Sequence, residues 1–290
     1  MTKLNDTSKT FSADDWAWAA QKVGALSATF HETAALTLFL KKVEYGARSA
    51  AYGMRASGVW LFGEAGSGKT TALNECKRRL KAADDLDSDL PVMLLTLLPG
   101  PTMHSIVRDL LQHLKYPFAN SRTFSERAGI LFEALKKKRV RVIMLDEIQH
   151  IVEGNRTTNQ TEIRDFLKRL MDETNVCLVL CGIQSGKKLR SNDEQLASRV
   201  PAEVTLSTNY SLKEGQAFVA ALLSNVPLPF ETDASDRVVE AITTREKASA
   251  RLLARVIEEA TKAAALTRAT SVTLLHVTHA INFTFLRAQE

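Results

Sequence analysis

Short continuous apolar runs alternate with helically spaced apolar residues along the middle of the chain. The runs have the length of buried strands and cover residues 59–62, 92–97, 140–145, 176–182 and 203–206. Between two of them, Ile106, Leu110, Leu111 and Leu114 follow the spacing of one helix face. Buried strands that alternate with amphipathic helices predict an α/β fold, in which a parallel sheet lies between two layers of helices.

From residue 213 onward the apolar pattern is helical only. Its helices are predicted around residues 218–223, 238–242, 252–260 and 274–285. Helices that follow a parallel sheet without further strands predict a C-terminal helical lid. The sequence therefore predicts an N-terminal tail and helix over residues 1–24, an α/β domain over 25–210 and a lid domain over 211–290.

Two helices are predicted before the first strand. Residues 1–11 are polar and predict a disordered tail, after which Ser12 and Asp15 have the spacing of a capping box. The helix that follows carries Trp16 and Trp18, and we expect it to pack on the main domain because aromatic residues at helical spacing usually belong to a core. A second helix is marked by Leu36, Phe39, Leu40 and Val43.

Composition narrows the class of protein. The chain has 290 residues, of which 45% are hydrophobic and 24% charged, so it can bury the core of an ordinary globular protein. Its net charge of +5 favours polyanionic partners. The three cysteines lack metal-ligand spacing, and Cys177 and Cys181 lie on an apolar run that predicts small buried side chains. With a polar N-terminus and no apolar run of about 18 residues, we expect a cytoplasmic protein.

The segment between the first strand and the next helix satisfies the P-loop pattern G-x-x-x-x-G-K-[ST]. Glycines let backbone N–H groups face phosphates, and the following helix N-terminus adds a partial positive charge. Lys69 is then expected at the β- and γ-phosphates, and the Thr70 hydroxyl at Mg²⁺. The predicted ATP-binding residues here are Gly63, Glu64, Ala65, Gly66, Ser67, Gly68, Lys69, Thr70 and Thr71.

The third apolar run ends in two carboxylates, Asp146 and Glu147, as in the Walker B motif of P-loop ATPases. Asp146 is expected to hold Mg²⁺ through water, and Glu147 to orient and polarise the attacking water. Gln184 follows the fourth run, where such ATPases carry a polar sensor of the γ-phosphate. The sequence thus predicts an ATPase that uses ATP and Mg²⁺.

Four segments together resemble AAA+ ATPases of the initiator-like branch: GEAGSGKT, VIMLDE, QLASR at residues 195–199, and ASARLL at residues 248–253. Within that branch the chain is most similar to the TniB/TnsC family of transposition ATPases, over about residues 25–285. The DEIQH run at residues 146–150, the short lid and the total length point to this family. The resemblance implies a P-loop AAA+ sheet domain with a helical lid.

The same resemblance assigns roles to three arginines. Arg199 is implied as the arginine finger that reaches the γ-phosphate of a neighbouring subunit, with Arg190 as its rival. Arg251 is implied as the lid sensor of the subunit's own nucleotide. Gln184 departs from the usual Asn or Thr of the first sensor. The implied catalytic set is Lys69, Glu147, Arg199 and Gln184.

The partners implied by the resemblance are duplex DNA, a transposase, a target-selecting protein and further copies of the chain. ATP between subunits favours a ring or a helical filament that contacts DNA phosphates without reading sequence. Thr102, His104 and Arg108 are candidate DNA-facing residues, and the expected location is the bacterial cytoplasm. Two alternatives are open: another AAA+ ATPase, such as a helicase loader or a secretion-associated ATPase, and a nucleotide-binding scaffold without hydrolysis. Lys69 and Glu147 favour hydrolysis over the scaffold.

Overall fold

The computed structural model describes residues 11–27, 32–83, 86, 88, 91–116, 123–153, 156–208, 212–243 and 250–286. Except for Phe11, the predicted tail lies outside these residues. The chain divides into two compact units. Residues 34–206 form one, and residues 1–33 with 207–290 form the other.

The α/β unit is built on a five-stranded parallel sheet. Its strands are β1 Val59–Gly63, β2 Val92–Thr96, β3 Val142–Asp146, β4 Cys177–Gly182 and β5 Ala202–Leu206. Their order across the sheet is β2-β3-β4-β1-β5, and every neighbouring pair is parallel. The α/β prediction is confirmed, and the strands lie within two residues of the predicted runs.

The helices of the described chain alternate with these strands and then continue alone. In chain order they are α1 Ala13–Ser27, α2 Ala34–Ala51, α3 Lys69–Lys81, α4 Met103–His113, α5 Phe124–Lys137, α6 Gln149–Val152, α7 Thr157–Thr174, α8 Lys187–Ser191, α9 Glu194–Arg199, α10 Leu212–Leu223, α11 Thr232–Thr243, α12 Ala250–Leu266 and α13 Leu274–Leu286, with a 3-10 turn at Gln184–Gly186. None of the described helices is both long and apolar enough to span a membrane.

The third strand begins at Val142, two residues later than its apolar run predicts. Val140 instead ends α5, because its N–H donates to the Leu135 carbonyl at 3.0 Å while Arg139 takes a left-handed φ of 52°. An apolar residue after a left-handed C-terminal residue packs back on its helix. Val140 is accordingly buried, but as part of a helix end.

Helices cover the sheet so that β1, β3 and β4 are buried along their whole length. Continuous apolar strands are the signature of a parallel sheet with both faces covered. Inside this core, the Trp60 ring stacks on Phe62, and its indole N–H donates to the Val200 carbonyl at 2.7 Å. That bond fixes the chain just before β5.

The helical unit contains α1 and the four helices α10 to α13. Its buried core includes Val238, Val256, Ile257, Val277 and Ile281. The Ser12–Asp15 capping box is confirmed, since the Asp15 N–H donates to Ser12 Oγ and the Ser12 N–H to Asp15 Oδ2.

The expectation that the tryptophan helix packs on the main domain is wrong, because α1 packs on α12 within the helical unit. Ala19 is buried in the core of the helical unit and Trp18 packs against that core, so apolar contacts hold α1 there. Charged side chains add contacts around the two tryptophans. The Arg268 guanidinium lies over the Trp18 ring and pairs with Asp15 at 3.1 Å, and the Lys262 ammonium lies over Trp16.

Candidate nucleotide site

The P-loop follows β1 and turns directly into α3. Gly66 and Gly68 have φ of 86° and 89°, a left-handed backbone that glycine adopts without a Cβ penalty. Gly68 is the N-cap of α3, and it makes no side-chain cap hydrogen bond there. The first N–H groups of α3 are therefore not taken up by the usual capping side chain and can bind an anion.

Two buried polar groups line this loop. The Lys69 side chain is 9% exposed, and its ammonium donates to the carbonyls of Gly63 at 2.8 Å and Glu64 at 3.0 Å. Ser67 Oγ is buried and has no hydrogen-bond partner among the described residues. Leaving a buried hydroxyl without a partner costs free energy, so it marks a place that a polar ligand fits. The loop fits the phosphates of a nucleotide.

Sheet topology brings Asp146 to the same edge as Lys69. β3, β4 and β1 are neighbours, so the residues that end them meet at the carboxyl edge of the sheet, next to the change in strand order where α/β proteins bind ligands. The Cys181 thiol, on the strand between them, donates to the Asp146 carboxylate. Cys181 had been expected only as a small buried side chain, and its burial is confirmed.

Burial raises the pKa of Asp146, while the charge of Lys69 acts in the opposite direction. Because burial outweighs the groups that favour its charge, this carboxylate would be stabilised by a cation, and Mg²⁺ is commonly held by one or two carboxylates together with substrate phosphates. Thr70 is exposed in the first turn of α3, where its hydroxyl is available as a second ligand. In the described part of the chain no three His, Cys, Asp or Glu side chains form a metal cluster of their own. Asp146 and Thr70 thus fit Mg²⁺ that arrives with a nucleotide.

Glu147 has a left-handed φ of 60°, and its N–H donates to Asp146 Oδ1 at 2.9 Å. Its carboxylate accepts a short hydrogen bond from the side-chain amide of Gln149. The Gln149 carbonyl oxygen in turn accepts from the Ile183 N–H at 3.2 Å. The sequence-based prediction missed Gln149 as a site residue, and the only signal for it was its place in the DEIQH run.

Gln184 begins the 3-10 turn directly after β4, and its side chain is exposed. It therefore lies at the carboxyl edge, as do the P-loop, Asp146 and Glu147.

Arg199 lies at the opposite edge of the sheet. Its carbonyl accepts from the Gly58 N–H at 2.9 Å, just before β1 begins, whereas the P-loop starts where β1 ends. Five strand residues span about 16 Å. The Arg199 guanidinium makes two hydrogen bonds to Asp172, at 3.0 and 2.7 Å, which raise the pKa of Arg199 and lower that of Asp172.

The other predicted arginines are also away from the P-loop or in the other unit. Arg190 pairs with Glu203 near the start of β5, and Lys187 shares that carboxylate at 2.7 Å. Arg251 is exposed on α12 of the helical unit.

The three candidate DNA-facing residues make contacts within the chain. Thr102 caps α4 through Ser105, and Arg108 pairs with Asp109 at 2.9 Å. The His104 ring packs on Phe124 with 4.8 Å between centroids.

Comparison with known proteins identifies the family and the fold. A family model described as "Bacterial TniB protein" matches residues 28–208. No curated protein matches the chain in sequence.

Solved structures of archaeal proteins share the fold. ORC2 of Aeropyrum pernix, in ADPNP and ADP complexes, has a TM-score of 0.66 and 16% identity, over 86% of this chain and 67% of that one. ORC1 of the same organism, in complex with DNA, has a TM-score of 0.61 and 22% identity, over 86% of this chain and 64% of that one. Cdc6p of Pyrobaculum aerophilum has a TM-score of 0.64 and 14% identity, over 86% and 67%. The chain spans about two thirds of the length of these proteins, and the predicted AAA+ fold is confirmed.

Proposed function

The chain belongs to the TniB family and has the AAA+ fold, and from this premise we propose that it hydrolyses ATP between subunits of an oligomer that binds duplex DNA and regulates transposition. The family match supports the transposition part. The arrangement of the nucleotide site supports the oligomer.

Each chain contributes one half of the reaction site. Lys69 and the N–H groups of the P-loop hold the phosphates, while Thr70 and Asp146 hold the metal. When bound, ATP supplies the bond that is cleaved and Mg²⁺ supplies charge that neutralises its phosphates. Glu147 orients the attacking water and accepts its proton, and Gln184 senses the γ-phosphate.

The observation that carries the proposal is the separation of Arg199 from its own P-loop. The two lie at opposite edges of one sheet, about 16 Å apart along β1. A guanidinium placed there cannot stabilise charge at the phosphates of its own chain, but it can at those of a neighbour. Docking against the neighbour would replace the Asp172 partner by a phosphate, which binds a guanidinium in the same two-bond manner.

Mixing two inactive variants tests this arrangement. Arg199→Ala subunits keep an intact Glu147, and Glu147→Gln subunits keep an intact Arg199. An interface to which the first variant contributes Glu147 and the second contributes Arg199 therefore has both groups. We expect phosphate release to recover in mixtures and to peak near equal amounts. If no ratio recovers activity although both variants assemble normally, Arg199 does not act on a neighbouring subunit; Arg190→Ala mixtures then test its rival.

Transposase recruitment is the part of the proposal that rests on the family alone. We expect a transposase encoded beside this chain to co-sediment with the protein on DNA in ATP analogue and not in ADP. The Lys69→Ala variant is the matched control, because it keeps the surface of the protein while losing nucleotide binding. Recruitment by Lys69→Ala equal to that of wild type would contradict nucleotide-dependent regulation.

A further inference from the structure

We propose that Gln149 is a positioning residue that sets the orientation of the Glu147 carboxylate and links it to the segment that carries Gln184. The inference rests on the proposed ATPase function, since it concerns the group that accepts a proton from water. In this role Gln149 contacts neither the water nor the phosphate and acts only through Glu147.

The Gln149 side chain is 5% exposed and uses both ends of its amide. The Nε2 group donates to Glu147 Oε2, and Oε1 accepts from the Ile183 N–H at 3.2 Å. A buried amide is stable only when its donor and its acceptor are both paired. Glutamate in its ionised form would lack the donor, and an apolar residue would lack both groups.

The backbone leaves Glu147 only its side-chain angles to adjust. Its φ is left-handed and its N–H is held by Asp146, so the main chain at this residue is fixed. The amide of Gln149 then selects the direction of the carboxylate by binding one oxygen. The second oxygen of a carboxylate can still take a proton from water.

Three contacts join the segment after β3 to the end of β4 and the segment that follows it. Besides the Gln149 bond, the Ile148 N–H donates to the Cys181 carbonyl at 3.0 Å, and Ser185 Oγ donates to Glu153 at 2.6 Å. Gln184 lies between Ile183 and Ser185, so it is held on both sides. A shift of Gln184 would therefore move the Ile183 N–H that donates to Gln149 Oε1 and, through Gln149, the Glu147 carboxylate.

Gly182 makes room for this link. A Cβ at this position would lie 2.6 Å from Gln149 Oε1 and 2.8 Å from Ile148 Cγ1. The close approach explains why glycine ends β4 here, and it shows that the Gln149 amide packs directly against the β4 backbone.

The first experiment compares Gln149→Ala with wild type in nucleotide affinity and turnover. We expect the dissociation constant for an ATP analogue to stay within about twofold, because Gln149 does not touch the P-loop. Turnover should fall about tenfold or more, since a misdirected base loses part of the usual contribution of proton transfer. The exposed Gln112 on α4 provides the matched control, and Gln112→Ala should hydrolyse ATP as wild type does.

The second experiment uses Gln149→Glu to separate positioning from packing. This variant keeps the shape, but at neutral pH it sets two carboxylates against each other. At lower pH the pair can share one proton, and the protonated Glu at position 149 donates as the amide did. Titratable groups on the adjoining segments include Asp146, Lys69 facing it from α3, His150 on α6 and Glu153 after α6. We expect the pH optimum of turnover to shift to lower pH than in wild type.

The outcomes distinguish this inference from the proposed function. Normal hydrolysis by Glu147→Gln would overturn the role of Glu147 itself. If Glu147→Gln is inactive while Gln149→Ala and Gln149→Glu both turn over as wild type, the inference alone is wrong. A loss of turnover in Gln149→Glu with an unchanged pH optimum would reduce Gln149 to a packing residue. If Gln149→Ala does not fold, the pH profile of Gln149→Glu decides.

Discussion

At the level of single residues, the nucleotide site buries two ionisable side chains. Lys69 and Asp146 are both buried at the carboxyl edge of the sheet, yet the ammonium is bonded to two backbone carbonyls and the carboxyl has a raised pKa. Buried charges of this kind cost folding free energy unless a partner neutralises them. The site therefore gains most when phosphate and metal arrive together.

Asp146→Asn should stabilise the nucleotide-free protein at neutral pH. Because burial raises the pKa of this carboxyl in the folded state, its contribution to stability is present below the unfolded pKa and is lost as the pH rises through the folded pKa. Removing the charge should raise the free energy of unfolding by on the order of 1 kcal/mol, which corresponds to a rise of a few degrees in Tm. Differential scanning calorimetry should show the gain at neutral pH and its progressive loss as the pH falls through the raised folded pKa.

With ATP and Mg²⁺ wild type should become more stable than Asp146→Asn, because only wild type gains the binding energy of the metal. An Asp146→Asn variant that melts with wild type at every pH would contradict the assigned cost of this carboxylate.

Lys69→Ala and Glu147→Gln should fail at different steps. The first variant loses the positive charge that faces the phosphates, so fluorescent nucleotide should no longer bind at micromolar concentrations. The second keeps that charge and loses only the group that accepts the proton, so binding should persist while phosphate release falls at least about a hundredfold. Unchanged phosphate release in Glu147→Gln would remove Glu147 from the reaction.

At the level of elements, the junction of β1, β4 and β5 sets where Arg199 lies. Gly58 precedes β1 and binds the Arg199 carbonyl, and a Cβ at Gly58 would lie 2.5 Å from the Leu178 carbonyl oxygen and 2.8 Å from Val200 Cγ2. Leu178 lies in β4 and Val200 lies just before β5, so neither residue can move without its strand. This packing fixes the start of β5 and, with it, the end of α9 that carries Arg199.

Gly58→Ala should destabilise the protein by about 1–3 kcal/mol, since the extra carbon must push strands apart. Urea unfolding measures this loss. Gly129 is the matched control, because it is exposed on α5 and no atom lies within 4 Å of its added Cβ. Gly129→Ala should instead gain about 0.5–1 kcal/mol from helix propensity. Equal midpoints for the two variants would show that the strands at Gly58 are not tightly packed.

At the level of the whole molecule, a net charge of +5 is modest for the DNA-binding role proposed above. One subunit presents few cations to DNA, and each is worth little alone. An ATP-joined oligomer repeats the same cations along one duplex, so effective concentration multiplies their effect. DNA affinity should therefore depend on assembly more than on the single chain.

Duplex binding should require ATP or a non-hydrolysable analogue, show little sequence preference, and weaken steeply with salt. Anisotropy of a labelled random-sequence duplex, titrated in ATP analogue, in ADP and without nucleotide across a salt series, measures all three properties. Equal affinity in every nucleotide state would separate DNA binding from assembly. No binding even at low salt would favour an ATPase that remodels proteins and does not contact DNA.

Local pattern was enough to predict much of this molecule. The P-loop, the carboxylate pair after the third apolar run and the five strands were all predicted from the sequence, because each depends on contiguous residues or on spacing within one element. The start of β3 was predicted less well, since Val140 is as apolar as a strand residue and only its bond to Leu135 shows that it ends α5.

Contacts between distant residues were decided only by the tertiary structure. Four features join segments that lie apart in the chain or turn back on it. They are the position of β1 between β4 and β5, the pairing of Arg199 with Asp172, the packing of α1 on α12, and the link from Glu147 through Gln149 to Ile183. A hydrogen bond or an ion pair depends on distance and direction in space, which no local pattern of residue types specifies. The sequence by itself predicted a P-loop nucleotide site in an α/β fold, whereas the fold decided which side chain binds the Glu147 carboxylate and which edge of the sheet carries Arg199.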